Sequence, residues 1–409
     1  MSKSLRLDTS AKSILIAVLI LLPVVSIAGG LALAPLAFIL GLLGLTLHLR
    51  STGLSVVKSP PFIMLMLFLL WACLTSIWSP YRPDDLLTNY IKLFIMGSVF
   101  YFAPFVFKRL SQQDAVQVTR IFLVTIFLGA LIGTIDIVTN FKITFFVDPP
   151  KSPNELGQSL GDAEQNLSHA ITVLVMLFAP VTILLKSQIQ SWKILSGFFF
   201  MLIIVASVFN NLWVGMLGAA IVTITMAFSF KFHRHVPLVI LFLAIFAILF
   251  APLLALISTQ LVETDLSHIP VSWEHRIRMW GYCWPIITDN PIIGDGFDAA
   301  RSYTARWTTR NGIDWSVVSL HPHNAGLQIW TETGFIGALL ASGFISTLIT
   351  PVKAFATSPE RSAILSGVLA AGLLMSSITT GAWQSWWWGC IFLTMGVVFL
   401  IPVVQTVEK

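Results

Sequence analysis

The sequence predicts an all-α integral membrane protein of about twelve transmembrane helices, with one large periplasmic loop containing short helices. Three observations predict it. Hydrophobic residues fill 56% of the 409 positions, with a mean hydropathy of +0.85. Charged residues fill only 11%, where soluble domains carry about 25%. The apolar residues also gather into runs near the ~20 residues that cross a bilayer at about 1.5 Å rise each. The net charge of +5 then concerns orientation. No basic patch with interleaved aromatics occurs, so no nucleic-acid partner is expected.

The runs lie near 13–29, 31–48, 61–78, 89–107, 119–139, 167–185, 193–209, 211–230, 236–258, 324–350, 362–380 and 384–404. The first follows Lys3, Arg6 and Lys12, as in a signal peptide, but so many further runs follow that it reads as an uncleaved span. With the N-terminus inside, every inside loop is basic: Arg50, Lys58, Lys108, Arg109, Arg120, Lys186, Lys193, Lys231, Arg234, Lys353, Arg361 and Lys409. The short outside segments hold Arg82, Lys142 and Lys151. Basic residues collect on the cytoplasmic side, so both termini are expected there. The chain divides into spans one to nine (1–258), a periplasmic loop (259–323) and spans ten to twelve (324–409).

The outside segment 140–166 is rich in Pro, Gly and Asn and reads as irregular backbone. In the long loop, WEHRIRMWGYCWPIIT has apolar residues at helical spacing and stops before Asn290-Pro291. It predicts a short amphipathic helix at the membrane surface; a solvated loop helix is the alternative. Polar residues within spans are costly, about 2.5–3.5 kcal/mol for a central charge. Of Lys92, Asp136, His169, Asn210, Asn211 and Glu332, most fall near the outer ends of their runs. Glu332 is deepest, nine residues past His323, or roughly 13 Å down. This one-sidedness predicts a cavity open to the outside, whereas a transporter needs polar groups at the midplane and beyond. Trp383, Trp386, Trp387 and Trp388 read as an interfacial belt, or less readily as a sugar-stacking surface.

Five arginines on the long loop (Arg276, Arg278, Arg301, Arg306, Arg310) form a candidate anion site, since guanidinium matches phosphate oxygens bidentately. The acidic residues of the same loop offer salt bridges as the competing role. Arg276, Arg278 and Arg301 are assigned to a ligand, Arg306 and Arg310 to salt bridges. His321-Pro322-His323-Asn324 stands where loop becomes helix. The helix dipole there favours neutral imidazole, so His323 can serve as a general base. The glycines of Pro291-Ile-Ile-Gly-Asp-Gly296 supply backbone freedom. Three cysteines with no ligand spacing give neither a disulfide framework nor a metal site.

At these residues the sequence resembles the O-antigen ligase and O-antigen polymerase superfamily of polytopic, polyprenyl-diphosphate-dependent glycosyltransferases. Three blocks carry the resemblance: Arg276-Ile-Arg-Met-Trp280; Asn290-Pro-Ile-Ile-Gly-Asp-Gly-Phe297; and His323-Asn-Ala-Gly-Leu-Gln328 with Glu332-Thr-Gly-Phe-Ile-Gly337. The GDAEQN166 stretch is a weaker feature. Family members usually carry a Ser-Arg pair near the outer end of the eighth span; here Asn210-Asn211 stands instead. The resemblance implies an inner-membrane enzyme that moves a glycan from an undecaprenyl diphosphate carrier to an acceptor hydroxyl at the periplasmic face. The leading acceptor is lipid A–core, another glycan acceptor being the polymerase alternative. A lipid-linked sugar flippase or exporter is the alternative from another class. It further implies inverting transfer with no metal or cofactor, and His323 as the base. Arg276 would neutralise the diphosphate, aided by Arg278 and Arg301. His321 and Asn324 would line the site, and either a cation such as Lys92 or Arg82 replaces the missing arginine or the donor differs from the family's usual one.

Overall fold

The structure is a computed structural model that describes residues 7–82, 86–150, 155–310 and 312–401. Lys3, Arg6, Lys151 and Lys409, used above for orientation, lie outside the described residues. The apolar runs become helices. The first half of the chain forms α1 (Thr9–Ile27), α2 (Leu33–Thr52), α3 (Pro60–Thr75), α4 (Leu86–Phe100), α5 (Ala103–Phe107), α6 (Gln112–Val138), α7 (Lys142–Val147) and α8 (Leu156–Gln188). The second half forms α9 (Trp192–Phe209), α10 (Trp213–Lys231), α11 (Val236–Leu249), α12 (Ala251–Val262), α13 (Val271–Asp289), α14 (Ala325–Thr347), α15 (Ile349–Phe355), α16 (Pro359–Ile378) and α17 (Ser385–Val398). A small antiparallel hairpin, β1 (Arg306–Thr308) and β2 (Asp314–Ser316), sets Trp307 opposite Trp315.

Among the described residues, eight helices are long and apolar enough to cross a membrane, and α11 with α12, bent by 59°, makes a ninth if the pair is one span. The three remaining apolar runs form shorter helices: α3, the stretch Lys92–Phe107, and α17. Eight or nine of the twelve expected spans are thus long enough among the described residues, and the other three runs form helices shorter than a full crossing. Pro104 near the start of α5 and Pro252 near the start of α12 each follow a break and sit in the first turn of a helix, where proline forfeits no hydrogen bond.

The segment 140–166 is also more ordered than its composition suggests. Asp136 accepts the backbone N–H groups of Ile143 and Thr144 at 2.8 and 3.1 Å and so caps α7 from the end of α6. From Leu156 onward the chain is already α8, 33 residues long. Leu160, Ala163, Leu167 and Ala170 recur at helical spacing among the polar residues, and this weak stripe packs inward. Farther along, residues 170–185 are buried on every side, which makes α8 the centre of the bundle.

Contacts sort the loops into the same two sets as the basic-residue count. At one end, Lys12 pairs with Asp114 at 2.7 Å, Lys186 with Glu360 at 2.9 Å, and Arg109 binds Ser51 at 2.5 Å. At the other end, His169 lies 2.7 Å from the Gly29 carbonyl, Asn210 donates to Ser168 at 2.9 Å, and Ser79 donates to the Phe297 carbonyl at 2.8 Å. The long loop folds over this second end. Its helix α13 stops at Asp289, as the spacing predicts, and packs along α12, where Gly281 lets the two backbones approach.

The tryptophans at 383–388 are not a belt at the bundle surface. Trp386 and Trp387 are buried, and Trp383, Trp387 and Trp388 donate their indole N–H groups to Glu332, Ser376 and the Ala382 carbonyl. Trp383 lies against Phe297 of the loop and Glu332 of α14, while Trp386 packs on His169 of α8 and Trp387 binds Ser376 of α16.

Candidate active site

The site begins with a break. Gly334, inside α14, has φ +63° and ψ −163°, which is not helical. The turn Pro291–Gly296 fits into the gap. Asp295 and Gly296 donate their N–H groups to the Thr331 and Glu332 carbonyls at 2.8 and 2.9 Å, and Phe335 donates to the Pro291 carbonyl at 2.9 Å. Trp71 and Trp78 add indole hydrogen bonds to the Thr333 and Gly294 carbonyls at 2.9 and 3.0 Å. Backbone polar groups freed by a broken helix must find partners away from water, and this turn supplies them. A Cβ on Gly294 would sit 2.5 Å from the Glu332 carbonyl carbon, so both φ (+68°) and contact require glycine there.

Glu332 is fully buried at this break. Its carboxylate accepts from Gln328 at 3.0 Å, from Trp383 at 2.6 Å and from the Asp298 backbone N–H at 2.8 Å. The depth counted along the helix is therefore not depth in lipid, because the loop follows Glu332 down. Gln328 extends the network by accepting the Ala382 N–H at 2.7 Å, which ties α14 to the segment before α17.

Beside this plug, α16 ends. The last carbonyls of a helix have no partners within it, and here three in succession hold site residues. Ser377 accepts the Asn324 amide at 2.9 Å, Ile378 accepts Arg276 Nε at 3.0 Å, and Thr379 lies 2.8 Å from His323 Nδ1. Arg276 donates again to the Ser272 carbonyl at 2.9 Å and covers the Trp273 ring at 5.5 Å. Asn324 caps α14, its Oδ1 accepting the Leu327 N–H at 2.9 Å. His323, immediately before it, has φ +50°, an uncommon conformation for a residue with a side chain.

The carbonyl of Thr379 can only accept, so His323 Nδ1 carries the proton and Nε2 keeps its lone pair. Burial lowers the pKa of His323 to about 4, aided by the charge of Arg276 and the nearby His275; the bond to Thr379 works the other way. The expected neutral imidazole is present, but burial rather than the helix dipole is its main cause. His321 is held down to about 3 by burial, then by His323 and Arg301. Its Nδ1 accepts the His323 N–H at 3.1 Å, and its ring lies 4.5 Å from that of His323. His321 thus supports the backbone turn that presents His323.

The other arginines divide differently from the sequence expectation. Arg278 and Arg310 share the buried carboxylate of Glu274, at 2.9 and 2.6 Å. Arg278 also covers Trp307 at 4.9 Å. Arg301 pairs with Asp298 at 2.9 Å, and Arg306 with Asp314 at 2.5 Å. Of the five, Arg276 is held by neutral carbonyls and keeps its charge uncompensated by an ion pair among the described residues. Arg82 is exposed and donates to the Ser76 and Ile77 carbonyls. Lys92 is exposed on α4, the helix that sets Tyr90 against Phe297. Where the family's Ser-Arg pair would stand, Asn210 binds Ser168 and the Glu164 carbonyl, and Asn211 turns the chain at φ +50°.

Residues 198–342 match the family model described as O-antigen ligase. The match is confined to this segment, which resembles the O-antigen ligase family. It resembles a protein named "Putative polysaccharide ligase" from Rickettsia felis, 28% identical over 158 residues, which covers 37% of this chain and 39% of that one. The similarly named protein of Rickettsia conorii is 28% identical over 160 residues, covering 37% and 38%. That of Rickettsia bellii is 26% identical over 120 residues, covering 28% and 29%. The chain thus spans about two fifths or less of the length of these relatives. No solved structure matches. The matched segment contains Arg276, His323 and Glu332, whereas the Ile378 and Thr379 carbonyls and Trp383 lie beyond it.

Proposed function

We propose that the protein transfers a glycan from a polyprenyl diphosphate carrier to an acceptor hydroxyl at the periplasmic face of the inner membrane, with lipid A–core as the acceptor. One observation carries this reading. His323, whose Nδ1 lies on the Thr379 carbonyl so that Nε2 can accept a proton, is held on the carbonyl next to the one that holds Arg276, an arginine with no carboxylate partner among the described residues. That pairing suits a reaction in which an oxygen nucleophile loses a proton while a diphosphate gains charge. The acceptor oxygen attacks the anomeric carbon, and its proton passes to His323 Nε2. The bond from that carbon to the diphosphate oxygen breaks, and the electron pair leaves with the diphosphate beside Arg276. Attack opposite the leaving group inverts the anomeric centre. The family of residues 198–342 supports ligase-type glycan transfer, and the basic loops support cytoplasmic termini with 259–323 on the periplasmic side.

Deletion of the gene tests the acceptor. Polymer stranded on the carrier supports ligation, while a core bearing a single repeat unit would transfer the assignment to a polymerase. Purified His323→Ala protein given carrier-linked glycan tests the chemistry, because undiminished transfer would remove the histidine from its role.

A further inference from the structure

The strap 379–384 joins α16 to α17 and grips His323 from two sides. At its start, the Thr379 carbonyl lies 2.8 Å from His323 Nδ1. At its end, the Gln384 side chain meets His321 Nε2 at 2.9 Å, and His321 Nδ1 accepts the His323 backbone N–H at 3.1 Å. Between these grips the strap has no helix or strand of its own. It is pinned instead by two side chains of α14. Gln328 Oε1 accepts the Ala382 N–H at 2.7 Å, and Glu332 Oε2 accepts the Trp383 indole N–H at 2.6 Å. The strap passes so close that a Cβ on Gly381 would fall 2.6 Å from Gln328 Oε1 and 2.8 Å from His321 Cγ.

The hydrogen bonds of this junction run one way. A backbone N–H only donates, so Ala382 fixes Gln328 with its oxygen toward the strap and its amide nitrogen toward Glu332. The Trp383 indole and the Asp298 backbone N–H are also donors. Three donors from three parts of the chain therefore meet the two oxygens of Glu332. Glu332 is fully buried and forms no ion pair among the described residues. With both oxygens occupied and no exposed surface, its carboxylate acts on the protein and not on a substrate.

Resting on the reading of His323 as the base, we propose that Glu332 and Gln328 are positioning residues: they set the strap, and through it the tautomer and aim of His323. A carboxylate accepts on both sides, whereas an amide of the same length accepts on one and donates on the other. Glutamine at position 332 sets N–H against N–H in either orientation. Turning Gln328 to relieve this would leave the Ala382 N–H buried without a partner, a cost that the strap avoids by moving. The same logic predicts a rescue. In the double variant Gln328→Glu/Glu332→Gln, position 328 accepts from Ala382 and from position 332, whose own oxygen still takes Trp383 and Asp298. Every bond is restored with the charge shifted by one helical turn.

Transfer from carrier-linked glycan by the full chain in nanodiscs, with wild type and His323→Ala run beside the variants, tests this. Glu332→Gln should lower kcat about a hundredfold, the scale of a misplacement of about 1 Å, with the donor KM unchanged. The double variant should recover most of that loss. Trp383→Phe removes one donor and buries no new polar group, so it should lower kcat about tenfold, the worth of one hydrogen bond to a charged group. It takes the place of Glu332→Gln if that variant does not fold. Wild-type kcat in either folded protein overturns the proposal. A double variant that is as slow as Glu332→Gln, or no better folded, also overturns it, because the carboxylate would then be needed at 332 itself. A raised donor KM does the same by placing Glu332 in donor binding. Undiminished transfer by His323→Ala removes the base and this inference together, whereas loss in His323→Ala alone removes only this inference.

Discussion

Two corners of the loop domain handle the same residue type in opposite ways. At one, Arg276 is held by the carbonyls of Ile378 and Ser272. At the other, Arg278 and Arg310 converge on Glu274, whose side chain is 8% exposed. Carbonyls orient a guanidinium without cancelling its charge, whereas a carboxylate does both. Two residues apart on one helix, the first arginine remains able to bind an anion and the second is committed to the fold. Burial opposes ionisation of Glu274, but hydrogen bonds from Arg310 and Arg278 outweigh it and hold its pKa below the usual range.

The difference can be broken from either side. The largest effect is expected from His323→Ala: loss of a general base should lower kcat by about 10²–10⁴-fold, measured as transfer from carrier-linked glycan with the amount of folded protein unchanged. Next, Arg276→Ala should raise the donor KM by about 10–100-fold, the worth of one or two charged hydrogen bonds at about 1.5–3 kcal/mol. Arg278→Ala should leave that KM near wild type; equal effects of the two would erase the distinction drawn here.

Glu274→Gln should act on stability instead, on the order of 1 kcal/mol, because both of its arginines are partly exposed and solvent-screened. A thermal scan reads it. Since the folded pKa of Glu274 is lowered, wild type should lose this contribution as pH falls below about 4.3, and the variant should lack that part of the acid sensitivity. The smallest effect concerns pH and rate. His323 is depressed to about 4, so kcat/KM should stay level as pH drops through 6.5 and decline only on approach to 4. Arg276→Ala removes a positive neighbour and should move that decline to higher pH.

Much of this was legible in the chain. The end of α13 at Asp289 follows from turn chemistry and local sequence, whereas the depressed pKa of His323 comes mainly from burial and not from the helix end that the sequence showed. The salt-bridge role of Arg306 and Arg310 was legible as well. Arg278 was not, because nothing in the sequence states that Glu274, four residues earlier, is also the partner of Arg310 across the loop. The early start of α8 was obscured by its glycines and polar residues, which hide a sparse apolar stripe. The tryptophans at 383–388 look interfacial by composition, and only packing turns their indole groups inward.

By itself the sequence determined which stretches are apolar, which loops are basic, and that the arginines and histidines share one end. Those properties depend on residue type and on spacing along the chain. The tertiary structure alone decided that a glycine turn completes a broken helix around Glu332, and that three carbonyls at the end of α16 hold Asn324, Arg276 and His323. Backbone carbonyls are identical at every position, so no residue type marks the ones left unpaired. Only the place where a helix stops, and what folds against it, gives them a role.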